Sequence, residues 1–168
     1  MKENQEKNKN IVKVYTDGAA RGNPGRAGWG VVIINYELGI TNSKIIELGG
    51  RSDHATNNQM ELTAPIEALK YLRKIPARQD LAVEIVSDSK YVILGITEWI
   101  FNWQKNNWRN AAKKPVLNQE LWEELYELTQ DLKLKWSYVK GHSGDKWNDR
   151  VDGIATSFAD DNGVELKK

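Results

Sequence analysis

Three strand-like runs follow one another before any helical signal, and this order constrains the fold more than any other feature of the chain. IVKVYT (11–16) and SKIIELGG (43–50) are short and rich in β-branched residues, and GWGVVIIN (28–35) is almost continuously apolar. Clusters of Gly, Pro or Asn bound each run, so the three predict an antiparallel meander. The period then changes. Thr56, with Gln59 three residues on, makes a capping-box pattern and opens a helical stretch to about Lys74 that stops at Pro76. LAVEIVS (81–87) reads as a fourth strand. Helical spacing returns over Tyr91–Trp103 and Asn118–Leu132, the second with Leu121, Leu125, Leu128 and Leu132 on one face. LKWSYVK (134–140) is a fifth strand, GHSGDK a loop, and Trp147–Ala159 a last helix. Three adjacent strands followed by helix and strand alternation give a mixed α/β sheet flanked by helices.

Pro65 interrupts the first helix. It has no N–H for the carbonyl of Glu61 and its ring crowds that group, which predicts a kink one turn after Glu61. The alternative is a helix that starts late, with Thr63 as N-cap and Glu61 on a loop.

At 168 residues the chain is expected to be one domain over 11–160, with tails at 1–10 and 161–168. Cys is absent, so there is no disulfide framework and no thiolate zinc site; a metal must be held by oxygen or by the two His. No signal peptide and no run of roughly 18 apolar residues is present, and the expectation is a soluble, cytoplasmic monomer. The 24 basic and 23 acidic residues leave a net charge of +1, so global charge does not argue for a nucleic-acid partner. Local charge does. Between Trp99 and Asn118 stand Lys105, Arg109, Lys113 and Lys114, no acid, and three of the seven Trp.

Four acids sit in distinctive settings: Asp17 in TDGAARGNPG, Glu61 in TNNQMEL, Asp88 in VSDSKYV and Asp152 in NDRVDGIA. Asp17 closes the first strand run, Asp88 follows the fourth, Glu61 lies one turn into a helix and Asp152 on the last helix. Taken singly, each has an ordinary reading as a turn, cap or solvated residue. Together they suit hard divalent cations, because Mg²⁺ takes oxygen ligands and pairs of such ions serve phosphodiester hydrolysis.

The segments YTDGAARGNPGRAGWG, TNNQMEL, SDSKYV, GITEWIFNWQKNNWRNAAKKPVLN and VKGHSGDKWNDRVDGIA run in the order of a known family. Over residues 11–158 the chain resembles ribonuclease H of the type I, bacterial-like form. The resemblance implies a ribonuclease H-like five-stranded mixed sheet whose first three strands are antiparallel. It also implies an endonuclease that cuts the RNA strand of RNA/DNA hybrids with two Mg²⁺ ions, Mn²⁺ able to substitute, leaving 5′-phosphate and 3′-hydroxyl ends.

By the same resemblance Asp17, Glu61, Asp88 and Asp152 are metal ligands, Asp17 bridging both ions, and His142 on the GHSGD loop assists proton transfer or product release. Asn23, Asn57 and Asn58 match positions that read 2′-hydroxyls from the minor groove; their other reading is as turn and first-turn residues. Thr56 and Asn118 match a pocket for a DNA phosphate, and each could equally be an N-cap. Tyr91, Trp99 and Trp103 match an aromatic channel along the DNA strand, with Ile96 and Ile100 extending the stripe as core. Lys105, Arg109, Lys113 and Lys114 match a basic protrusion. His54 stands where relatives often carry Arg, and Gln104 and Leu117 where they often carry Lys. Two rival readings are a noncatalytic hybrid-binding module and another two-metal nuclease or strand transferase. The four acids argue against the first, and Asn57, Asn58 and the Trp-rich basic segment against the second.

Overall fold

The computed structural model describes residues 11–35, 44–75 and 81–168; Pro76 and residues 1–10 lie outside them. Five strands, β1 (Ile11–Gly22), β2 (Gly25–Asn35), β3 (Lys44–Ala55), β4 (Ala82–Ser87) and β5 (Lys133–Tyr138), form one sheet in the order β3-β2-β1-β4-β5. β1, β2 and β3 pair antiparallel, whereas β4 runs parallel to both β1 and β5. The expected mixed sheet is therefore present, with its first three strands antiparallel.

The apolar run of β2 serves both faces of the sheet. Val31 and Ile33 point into one core with Val12, Val14 and Ile85, while Val32 and Ile34 point into another with Tyr15 and Val86. Alternate residues of a strand project to opposite faces, so a strand covered on both sides reads as continuously apolar. On the first face lies α1 (Asn57–Arg73) with Leu62, Ile66, Leu69 and Leu72. Beside it lie α2 (Lys90–Leu94), a π-helical turn (Gly95–Trp99), α3 (Ile100–Lys105) and α4 (Gln119–Thr129). On the second face lies α5 (Lys146–Ala159), which buries Val151 and Ile154. Leu62 is fully buried; truncating such a residue to Ala costs about 2–5 kcal/mol.

The capping box at α1 is complete. Thr56 Oγ1 accepts from the Gln59 N–H at 3.1 Å, and Gln59 Oε1 accepts from the Thr56 N–H at 2.8 Å. The helix starts at Asn57 and continues through Pro65 to Arg73, so Thr63 is not its N-cap and Glu61 is not on a loop. Thr63 instead donates its hydroxyl to the Gln59 carbonyl at 2.7 Å.

Three boundaries differ from expectation. β1 does not close at Asp17: it runs on to Gly22 because Gly18–Gly22 pair with Gly25–Trp29 of β2. α4 is shorter than Asn118–Leu132 and keeps Leu125 and Leu128 buried, with Leu121 and Leu132 half-buried at the core margin. The segment after α5, expected as a tail, packs. Lys167 is tied to Glu47 of β3 by two bonds: its N–H donates to the side-chain Oε1 at 2.9 Å, and its carbonyl accepts from the Glu47 N–H at 2.8 Å. Glu47 is buried and receives the Arg150 guanidinium at 2.6 and 3.0 Å, which holds its carboxyl below the usual range.

Candidate active site

Parallel pairing between β1 and β4 ends at Thr16 and Ser87, and the next residue along the chain in each case is an acid, Asp17 and Asp88. Both acids therefore stand at the carboxyl end of the parallel part of the sheet, where open α/β sheets place their sites. Glu61 arrives from α1. A Cβ at Gly18 would collide with the backbone of Met60 and Glu61, so only glycine lets that turn of helix lie directly on β1 beside Asp17. One ligand oxygen from each of Asp17, Glu61 and Asp88 lies within 4.8 Å of the others.

Asp17 and Glu61 are buried, at 4% and 7% exposure. None of the ion pairs among the described residues reaches these three acids or Asp152. Like charges at this spacing and burial resist ionisation. Burial, and then the charge of Asp88, pushes the Asp17 carboxyl up to about 8, against the N–H that Gly18 donates to its Oδ1 at 2.9 Å. Glu61 is pushed well above the usual carboxylate range, first by burial and then by Asp17. Their direct contact opposes the rise at Asp17 and adds to it at Glu61. Asp88 is also raised, chiefly by burial, with the Asn148 amide and His142 opposing the rise.

Asp152 comes from α5, which lies close on β2: a Cβ at Gly28 would strike the Ala155 carbonyl, and one at Gly30 would stand 2.8 Å from the Val151 carbonyl. Half-buried Asp152 adds negative potential at Asp17, Glu61 and Asp88, but it is outside the tight group of three. His142 is exposed, with left-handed backbone at φ 55°, on the loop after β5. That loop passes beside Asp88, since a Cβ at Gly141 would lie 3.0 Å from Asp88 Oδ2. The donor set fits a hard divalent cation. Two buried carboxylates and a half-buried one converge with no ion-pair partner among the described residues, and Glu61 Oε2 is buried without a hydrogen-bond partner among them.

The residues expected to hold nucleic acid fall into two groups. In the first, Asn23 sits in the β1–β2 turn, and its Oδ1 accepts from the Asn57 N–H at 2.9 Å, tying the turn to the start of α1. Asn57 and Asn58 are exposed there, and Thr56 caps the same helix. In the second, Asn118 occupies the N-cap position of α4 with φ 63°, but its side chain makes no cap bond; it donates to the Tyr91 hydroxyl at 3.3 Å. Tyr91, Trp99 and Trp103 form a chain of rings, 6.3 Å between Tyr91 and Trp99 and 6.1 Å between Trp99 and Trp103. Trp122, fully buried, contacts Tyr91 and Trp103 at 5.2 and 5.3 Å and rests on Gly95, where a Cβ would collide with its ring. Trp99 keeps 37% exposure, whereas Ile96 and Ile100 are buried, so the stripe divides into an exposed ring and core isoleucines. Lys105, Arg109, Lys113 and Lys114 are all exposed. Asn148, which sequence reading passed over, is 2% exposed and bonded to Asp88. Its signal was the spacing of four to Asp152, which puts both on one helix face.

A family model described as RNase H matches residues 8–160. Among curated relatives, a protein named Ribonuclease H from Thermosynechococcus vestitus is 47% identical over 157 residues, covering 94% of each chain. Another of that name from Ruthia magnifica subsp. Calyptogena magnifica is 46% identical over 151 residues, covering 90% of this chain and 97% of the other. Among solved structures, LC9-RNase H1 superposes with a TM-score of 0.82 at 24% identity, over 92% of this chain and 74% of the other, a likeness of fold. LC11-RNase H1 in complex with an RNA/DNA hybrid gives a TM-score of 0.65 at 26% identity, over 89% and 97%. No described helix is long and apolar enough to cross a membrane.

Proposed function

This chain belongs to the ribonuclease H family, and from that premise we propose how its own residues carry out the hydrolysis of the RNA strand in RNA/DNA hybrids. It is a metal-dependent nuclease. The finer reading is an endonuclease using two Mg²⁺ ions, with Mn²⁺ able to substitute, that leaves 5′-phosphate and 3′-hydroxyl ends; residues 11–160 act as one catalytic unit, in the cytoplasm and as a monomer. The absence of Cys, which fits a reducing compartment, supports the location.

Asp17, Glu61, Asp88 and Asp152 are the residues that would hold the ions. Divalent cations in such a site supply Lewis-acid polarisation of a phosphodiester and activation of water. The observation that carries the assignment is the convergence of three acids within 4.8 Å in a buried space without a cationic partner among the described residues. Such an arrangement is costly to the protein alone, and a cation reverses the sign of the interaction. His142, on a loop beside Asp88, carries an imidazole that can pass a proton to or from the reacting groups.

RNA differs from DNA at the 2′-hydroxyl, which both donates and accepts. The amides of Asn57 and Asn58 can do the same, and Asn23 supports them from the adjoining turn. For the DNA strand, Thr56 still has its hydroxyl proton to offer a phosphate, because its oxygen serves the cap only as an acceptor. Asn118 and the first N–H groups of α4 serve the same phosphate pocket, with Tyr91, Trp99 and Trp103 lining the path and Lys105, Arg109, Lys113 and Lys114 neutralising phosphates.

The test uses labelled RNA/DNA, DNA/DNA and RNA/RNA duplexes, each with Mg²⁺ and with chelator. Cleavage confined to the RNA strand of the hybrid and abolished by chelator is expected. Binding of the hybrid without cleavage would favour the noncatalytic reading, and cutting of DNA/DNA would favour a different two-metal enzyme.

A further inference from the structure

Asn148 is a buried amide with one end committed and the other unpartnered. It lies in the first turn of α5, where Asp145 Oδ1 accepts from the backbone N–H of Asn148 at 3.0 Å and fixes the start of the helix. The side chain is 2% exposed and hydrogen-bonds to Asp88. A carboxylate can only accept from an amide nitrogen, which orients the group: Nδ2 faces Asp88, and Oδ1 is the other end. That Oδ1 is buried and has no hydrogen-bond donor among the described residues. Asn148 and Asp152 are four residues apart on α5, so the amide lies on the face that presents Asp152 to the other acids.

A buried polar atom without a partner is unusual unless something in the site supplies one. Aliphatic packing at this position would be simpler if the residue served only the core. We propose that Asn148 is a positioning residue of the active site: its N–H holds the Asp88 carboxylate in a fixed orientation for a divalent cation, and its Oδ1 accepts a hydrogen bond from water in the carboxylate cleft. This rests on the reading of the acids as the metal site. It goes beyond that reading by assigning a fifth group, supplied by α5, that selects how Asp88 points.

Two variants and two readouts test it. Asn148→Ala removes donor and acceptor, and Asn148→Asp keeps the shape and the acceptor but loses the N–H. Mg²⁺ binding to each protein is followed without substrate, by calorimetry and by the rise in Tm with Mg²⁺; kcat and KM for the hybrid are measured below the Tm of each variant. Groups that orient metal ligands typically contribute roughly tenfold or more to metal affinity or activity. Asn148→Ala should accordingly raise the half-saturating Mg²⁺ concentration about tenfold and lower kcat comparably, with KM for the hybrid nearly unchanged. Asn148→Asp, which is isosteric and so keeps the packing, should lose kcat as well. A wild-type Mg²⁺ midpoint in Asn148→Ala, or a wild-type kcat in Asn148→Asp, would overturn the proposal. If the unaltered protein neither bound Mg²⁺ nor cut the hybrid, the functional reading itself would be at fault rather than the role of Asn148.

Discussion

The carboxylate cleft and the basic aromatic segment each carry an energetic cost, but of different kinds. In the cleft the cost is electrostatic: acids, two of them buried, gather without an ion-pair partner among the described residues, with Asp17 pushed up to about 8. In the segment the charges are solvated and the cost is conformational, since Asn107, Trp108, Lys113 and Asn118 all hold left-handed backbone, at φ 55°, 57°, 62° and 63°. Left-handed φ costs a non-glycine residue roughly 1–2 kcal/mol. On the proposed reading the cleft takes a point charge at a defined place, and the segment a long polyanion met over a wide surface.

The largest effect should follow from altering the cleft without changing its shape. Asp88→Asn should abolish cleavage of the hybrid while leaving its affinity nearly unchanged, as seen by gel assay and by binding with chelator present. Equal loss of binding would erase the division between the two regions. Next in size, Trp99→Ala removes an exposed ring from the other region. Stacking by such rings is worth about 1–3 kcal/mol, so KM should rise about tenfold with kcat little changed. Smaller still, Lys105→Ala with Lys114→Ala should flatten the dependence of log affinity on log salt by about 0.9 for each phosphate no longer neutralised. The smallest is Lys113→Gly, which relieves the backbone at φ 62° and should raise stability by about 1 kcal/mol in denaturant unfolding, with metal affinity unchanged.

What the sequence disclosed was whatever local chemistry controls. Runs of β-branched residues, the Thr56–Gln59 box and the leucine face of α4 each form from neighbours, and the structure follows them. Pairing with distant residues was less legible. Gly18–Gly22 looks like a turn, yet it is strand because β2 lies opposite; the C-terminal segment looks like a tail, yet its partner Glu47 is 120 residues away. Asn118 has the right residue type for a cap, but its left-handed backbone turns the side chain to Tyr91 instead. The acids were recognisable by their surroundings. That Asp17, Glu61 and Asp88 form the tight group, with Asp152 set apart and Asn148 behind Asp88, depends on how α1 and α5 lie on the glycines of β1 and β2.

The central claim is that the buried acids are a cation site, and thermal unfolding against pH with and without Mg²⁺ tests it most directly. A carboxyl whose folded value is raised keeps its proton in the folded state after the unfolded chain has released it. Its stabilising share is thus full below the unfolded value of 3.8 and is lost as pH rises through about 8. Glu61 and Asp88 shift the same way, whereas Glu47, held low by Arg150, weakens the fold only as pH falls. From about pH 5 to about pH 8 the metal-free protein should therefore lose Tm steadily, and Mg²⁺ should restore it most at the upper end of that range. A Tm that stays level across that range and ignores Mg²⁺ would contradict the account.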